Sequence, residues 1–217
     1  MSRASRGFDR LARWYRALEF IAFGRDLERA RFAFLERLSD RQSILILGEG
    51  DGRCAARLLP IAPGARITCV DSSRGMIARA EARIREAGGC DRVSFECADA
   101  RGFSPQPGQY DAVVTLFLLD CFKADEVSVI VGRVSAALRT GAPWVFADFT
   151  LPRRGIARIR ARAWLALLYA FFRWETALGA TSLPPSEEIL EQAGWRRAET
   201  RDLQWGLLRS SVYRRPH

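Results

Sequence analysis

Between Ser43 and Phe149 short apolar runs alternate with longer stretches of helical periodicity, and this alternation constrains the fold more than any other feature of the 217-residue chain. The pattern predicts strands over 43–47, 66–70, 92–97, 110–116 and 143–149. Helices fall between them over 52–60, 74–87 and 125–138, the last stopped by Thr140-Gly141. The strand runs are too apolar to face water on either side, so they read as a buried, mostly parallel sheet with helices on both faces, an α/β fold.

The flanks extend this core. Residues 8–38 place Leu11, Trp14, Tyr15 and Leu18, then Leu27, Ala30, Phe34 and Leu38, at three-and-four spacing, which predicts two amphipathic helices broken near Gly24. After the fifth strand a long helix spans roughly 155–174, Pro184-Pro185 opens another over 186–193, and Trp195 to Tyr213 reads as two strands around Gly206, an antiparallel hairpin on the sheet edge. The chain thus divides into a helical lid (1–42), a core (43–152) and covering helices with a final strand pair (153–217), as one compact domain.

A 48% apolar and 27% charged composition is that of a globular protein and excludes disordered and collagen-like classes. The longest wholly apolar run, Ala163 to Phe172, is about half of what a bilayer-crossing helix needs. The charged N-terminal sequence MSRASRGFDR lacks the apolar stretch of a signal peptide, giving a cytoplasmic expectation. Cys54, Cys69, Cys90, Cys97 and Cys121 form no CxxC pair and are odd in number, which argues against a disulfide framework and a zinc site. Cys69 and Cys97, inside strand-like runs, are expected to be small buried hydrophobes. His217 is the only histidine, so histidine-based nucleophile activation and most transition-metal sites are excluded from the interior. The net charge of +9 is carried by the flanks: residues 1–42 hold +4, 43–152 hold −1 and 153–217 hold +6, almost all of the basic residues being arginine.

The chemistry gathers at the end of the first strand, where Ile44-Leu45-Ile46-Leu47 turns through Gly48-Glu49-Gly50-Asp51-Gly52 into a helix. Glycines at alternate positions let the backbone turn tightly and approach a ligand without Cβ obstruction, at the strand end where open α/β sheets bind cofactors. The second strand ends in Asp71, nineteen residues beyond Gly52. Its carboxylate would reach the same crevice and accept bonds from two ribose hydroxyls, while Ser72 or Ser73 caps the next helix. A hydride-transfer site expects G-x-G-x-x-G and a P-loop needs a following Gly-Lys-Ser/Thr; this G-x-G-x-G loop suits a smaller nucleoside with an amino-acid tail.

These residues resemble the class I S-adenosylmethionine-dependent methyltransferases over most of residues 43–150. The matching elements are ILILGEGDG, CVDSSRGMI, ECADA with Asp99-Ala100, and Tyr110-Asp111-Ala112-Val113-Val114. The resemblance implies a Rossmann-like, doubly wound sheet of seven strands with an antiparallel C-terminal strand, and S-adenosylmethionine as cofactor. It implies that Gly48, Gly50 and Gly52 line the methionine moiety and that Asp71 and the adjacent Ser72 hold the ribose. Met76 would pack on adenine, Asp99-Ala100 would meet its amino group, and Leu116 would close the pocket beside the sulfonium. DSSRGMI, and FFRW followed by LPPSEEILEQAGW, look most like the ubiquinone and menaquinone methyltransferases. One departure is Ile46, where many members carry an acid; Glu49 or Asp51 is left to bind the amino group.

Methyl transfer from a sulfonium needs an aligned nucleophile and a dry site more than side-chain chemistry. For a hydroxyl acceptor, Asp120 after the fourth strand is the candidate base, an Asp bonding loop amides being the alternative. Tyr15 is a candidate lid residue. Five arginines (153, 154, 158, 160 and 162) lead into an aromatic helix through Trp174, and two uses are open to it: roofing an apolar substrate, or meeting anionic headgroups at the inner membrane surface. The leading expectation is methylation of an apolar small molecule. RNA methylation or binding has only the charge in its favour, and a catalytically silent cofactor-binding protein is motivated by Ile46.

Overall fold

The computed structural model describes residues 25–152, 155 and 183–216. The helix expected over 8–24 with Tyr15, and the arginine-led helix over 155–174, lie outside the described residues apart from Gly155. The strands are β1 (Ser43–Leu47), β2 (Arg66–Asp71), β3 (Val93–Cys97), β4 (Ala112–Leu116), β5 (Trp144–Phe149), β6 (Arg196–Leu203) and β7 (Leu208–Arg214). The helices are α1 (Asp26–Phe32), α2 (Arg53–Ile61), α3 (Arg74–Glu86), α4 (Ala124–Ala137) and α5 (Ser186–Gln192). One seven-stranded sheet runs β3-β2-β1-β4-β5-β7-β6. The pairs from β3 to β5 are parallel and β7 is antiparallel to both neighbours, so β7 is internal and β6 forms the edge.

Alternate residues of the central strands feed two cores. Ile44 and Ile46 of β1, with Ala112 and Val114 of β4, pack under Ala55 and Leu58 of α2 and Ile84 of α3. Leu45, Leu47 and Val113 face the opposite way, toward Val127, Ile130, Val131 and Val134 of α4 and Ile189 and Leu190 of α5. The two buried indoles on that side meet edge to face at 5.3 Å. Each N–H is satisfied, Trp144 by Thr115 Oγ1 (2.8 Å) and Trp195 by Ser135 Oγ (2.9 Å), as buried polar atoms require.

Three expectations are corrected. The second N-terminal helix does not run on to Leu38: α1 stops at Phe32 and Leu35–Leu38 form a separate 3-10 turn. Tertiary packing overrides the repeat here, because Leu35 and Leu38 are drawn wholly into the core beneath β1. Cys97 is exposed, unlike Cys69, because it closes β3, the edge strand on that side of the sheet. Asp111, which begins as part of a predicted strand, instead sits before β4 and accepts the Gln42 and Ser43 N–H groups at 2.8 and 2.9 Å, tying the start of β1 to β4.

A third apolar cluster sits at the carboxyl ends of β4 and β5, where Leu27 and Ala30 of α1 meet Leu207 and Leu208, with Phe117 and Phe149 packed against them. Helix α1 is pinned to the hairpin by Gln204 Nε2 donating to Asp26 Oδ2 (2.9 Å) and Ser210 Oγ donating to the Ala30 carbonyl. Among the described residues no helix is long and apolar enough to cross a membrane.

Candidate active site

The loop after β1 is built by three glycines in the left-handed region, Gly48 (φ 75°), Gly50 (φ 69°) and Gly52 (φ 87°). They serve different ends. A Cβ on Gly52 would lie 2.7 Å from the Ala80 Cα, so this glycine lets α2 start hard against α3. At Gly48 a Cβ would meet the Leu118 side chain at 2.6 Å. Around Gly50 nothing lies within 4 Å; its bare backbone faces open space at the carboxyl ends of the parallel strands, a cradle that a side chain would fill.

Asp71 closes the other side of this loop. Its Oδ2 accepts the Gly50 N–H at 2.9 Å and its Oδ1 accepts the Ser73 N–H at 2.8 Å. Burial raises its pKa, while these two amides oppose the rise. A carboxylate has about four acceptor sites, so Asp71 keeps capacity for hydroxyls. Ser73, rather than Ser72, caps α3 by accepting the Met76 N–H at 3.3 Å. Ser72 is exposed, and Met76 stands half-buried in the first turn of that helix.

Neither acid of the loop presents a free carboxylate. Glu49 is turned under the loop, where its Oε1 accepts the Ala55 N–H of α2 at 3.1 Å; burial pushes its pKa up to about 8. Its Oε2 is buried with no partner among the described residues. Asp51 is held by Arg53 (3.2 Å) and Arg83 (3.1 Å). The expectation that one of them offers a charge to an amino group therefore meets a buried acid that favours its neutral form and a carboxylate already paired with two guanidiniums. Asp99 lies on the surface in an ion pair with Arg101 at 2.6 Å, which holds its carboxyl below the usual range. Ala100 is buried in the core shared with α4. Leu116 is half-buried at the end of β4. The structure thus brings Gly48, Gly50, Asp71 and Leu116 to adjoining strand ends, and commits Glu49, Asp51 and Asp99 to internal partners.

Asp120 lies in a 3-10 turn (Leu119–Cys121) after β4, and it is not alone. Asp148, 2% exposed at the end of β5, accepts the Asp120 N–H at 3.1 Å and the Phe149 N–H at 2.9 Å, and the two carboxyl groups interact directly. The Cys121 thiol donates to Asp120 Oδ1 at 3.5 Å. Burial pushes Asp120 up to about 6, and burial with the neighbouring Asp120 charge drives Asp148 well above the carboxylate range. Like charges this close share one proton. Sequence reasoning missed Asp148, although an acid inside the wholly apolar run Trp144–Phe149 was a usable signal.

Phe117 and Phe149, in the apolar cluster with α1 at the ends of β4 and β5, meet edge to face at 5.2 Å, with the Arg31 guanidinium 5.5 Å over the Phe117 ring. Phe117 holds φ 53°, a left-handed conformation costing a non-glycine residue about 1–2 kcal/mol. Its N–H donates to the Ala147 carbonyl at 2.7 Å. Backbone strain of this kind gathers at functional sites, and here the bond to β5 holds it.

Solved structures of this shape include several methyltransferases. Residues 44–141 match the family described as "Methyltransferase domain". The mitomycin 7-O-methyltransferase MmcR superposes with a TM-score of 0.67 at 20% identity, covering 89% of this chain and 55% of that one. An O-methyltransferase family protein from Burkholderia thailandensis gives 0.69 at 18%, covering 87% and 55%. The N-methyltransferase NodS from Bradyrhizobium japonicum WM9, solved with S-adenosylhomocysteine, gives 0.62 at 18%, covering 88% of each chain. The chain spans about 55% of the length of the first two. No curated protein sequence matches it. Residues 44–141 thus match a methyltransferase domain, set in a fold that the chain shares with solved methyltransferases.

Proposed function

We propose that this chain transfers a methyl group from S-adenosylmethionine to a hydroxyl of an apolar small molecule. The observation that carries the proposal is the junction of two features at the carboxyl ends of β1, β4 and β5. One is the bare Gly50 backbone beside Asp71; the other is the buried Asp120–Asp148 carboxyl pair.

When bound, the cofactor supplies a methyl group already activated on a sulfonium, so the chain's own task is to position an acceptor and take its proton. Asp71 would hold the ribose hydroxyls, and the Gly48–Gly52 backbone the amino-acid tail. The Phe117–Phe149 pair offers an apolar, water-poor surface, which suits a reaction that disperses charge. The acceptor hydroxyl gives its proton to a carboxylate oxygen of Asp120, whose raised pKa of about 6 leaves it ionised at neutral pH yet basic enough to serve. Asp148, sealed behind it, holds the Asp120 backbone in place. Proteins of the same fold include one solved with apigenin and one named for mitomycin 7-O-methylation, both consistent with a ring hydroxyl as acceptor.

The deciding experiment is calorimetric titration with S-adenosylmethionine and S-adenosylhomocysteine, repeated on Asp71→Ala and Gly50→Val. Micromolar binding lost in both variants is expected. Absence of heat and of a thermal shift with either ligand removes the proposal. Screening phenols, quinones and lipids as acceptors then separates a methyltransferase from a cofactor-binding protein without turnover, and vesicle sedimentation tests the membrane role proposed for residues 153–174.

A further inference from the structure

We propose that the arginine-lined cleft bounded by α1, α2, α3 and β6 binds a compact phosphoryl polyanion, a ligand carrying two or more phosphate groups. The cleft holds about 1000 Å³ and is lined by Arg25 and Arg29 at α1, Arg53 and Arg57 of α2, Arg83 of α3 and Arg201 of β6. Glu28 is the one acid among its described lining residues. The lining comes mainly from helix faces and the edge strand, and it touches the glycine loop only through Arg53 and Arg83, which hold Asp51.

Internal ion pairs absorb only part of the charge. Asp26 holds Arg29 at 3.0 Å, and Asp51 holds Arg53 and Arg83. Arg25, Arg57 and Arg201 have no carboxylate within salt-bridge distance among the described residues, Arg201 lying instead 5.9 Å over the Phe34 ring. Guanidiniums from four elements repel one another when gathered around one cleft, and solvation alone would disperse them. A bound anion reverses that cost, and the planar fork of arginine matches phosphate oxygens two at a time. The volume is at the upper end of small-ligand sites. Arginines converging from four elements on one open, concave cleft form a localised rather than an extended positive surface, and Phe32 and Ala33 add an apolar floor for the rest of the ligand.

The test is calorimetric titration of the full chain with tripolyphosphate, against citrate and sulfate at matched ionic strength. It is repeated on Arg25→Ala and on the double variant Arg57→Ala/Arg201→Ala, with circular dichroism and melting curves to verify folding. None of these three arginines touches the cofactor loop, so S-adenosylmethionine binding is the internal control and should not change. The expected result is single-site, saturable binding of tripolyphosphate, at least about tenfold tighter than citrate and weakened about tenfold or more in the folded double variant. Absence of saturable binding, equal affinity for citrate, or undiminished affinity in the variants overturns the proposal. So does retention on single-stranded RNA or anionic vesicles that tripolyphosphate fails to displace.

Discussion

Gly50 and Gly52 share a left-handed backbone but differ in what surrounds them, and that difference separates binding from folding. Gly52→Ala forces a Cβ to 2.7 Å from the backbone of α3 and adds the left-handed penalty, so it should destabilise the protein by about 2–4 kcal/mol, read from chemical denaturation. Gly50→Ala meets open space and should cost only about 1–2 kcal/mol while weakening cofactor binding. Glu49 makes a second prediction at this scale. Its folded pKa of about 8 stands above the ordinary 4.5, so the native state holds a proton that the unfolded chain releases. Stability contributed by this group is full below about pH 4.5 and is lost as pH rises to about 8, by a few kcal/mol in all. Glu49→Gln keeps the acceptor for the Ala55 N–H and should be more stable than the parent at pH 7.5 and no more stable at pH 4.5. Equal slopes of stability against pH in both proteins would refute this assignment.

Elements are joined by single polar residues at their ends. Asp111 accepts two main-chain N–H groups at the start of β1. Asp111→Ala leaves both amides without their partner and should cost about 1–3 kcal/mol in denaturant unfolding, with Asp111→Asn recovering part of it. The extents of β1, β2 and β5, and of α2, α3 and α4, agree with their sequence periodicity to within a residue or two, because each buries a periodic apolar face against its neighbours. Where periodicity fails, as after Phe32, Leu35 and Leu38 satisfy the core better outside the helix. The left-handed Phe117 has no sequence signature either: its conformation is imposed by the bond to Ala147 on the next strand.

At the scale of the whole molecule, Asp120 and Asp148 are twenty-eight positions apart in sequence and meet only because β4 and β5 are parallel neighbours. Their titration belongs to the pair. Asp148→Asn replaces an acid that is neutral while Asp120 titrates, so the Asp120 carboxyl, raised by burial, should still titrate near 6 while the higher titration of the pair disappears, measured by carboxyl-carbon nuclear magnetic resonance on the full chain. A fall of the Asp120 titration to the ordinary carboxylate range would mean that Asp148, not burial, sets its value. The sequence by itself determined the α/β alternation, the glycine loop ending β1 and the acid ending β2, on which the proposed cofactor class rests. Each is written in local spacing, which backbone geometry translates directly into strands, turns and a strand-end crevice. The tertiary structure alone decided the partnership of Asp120 with Asp148, the diversion of Glu49 and Asp51 to internal contacts, the strain at Phe117 and the gathering of arginines in one cleft. Those features depend on which elements the sheet order makes neighbours, and no local pattern encodes a pairing between residues so far apart in the chain.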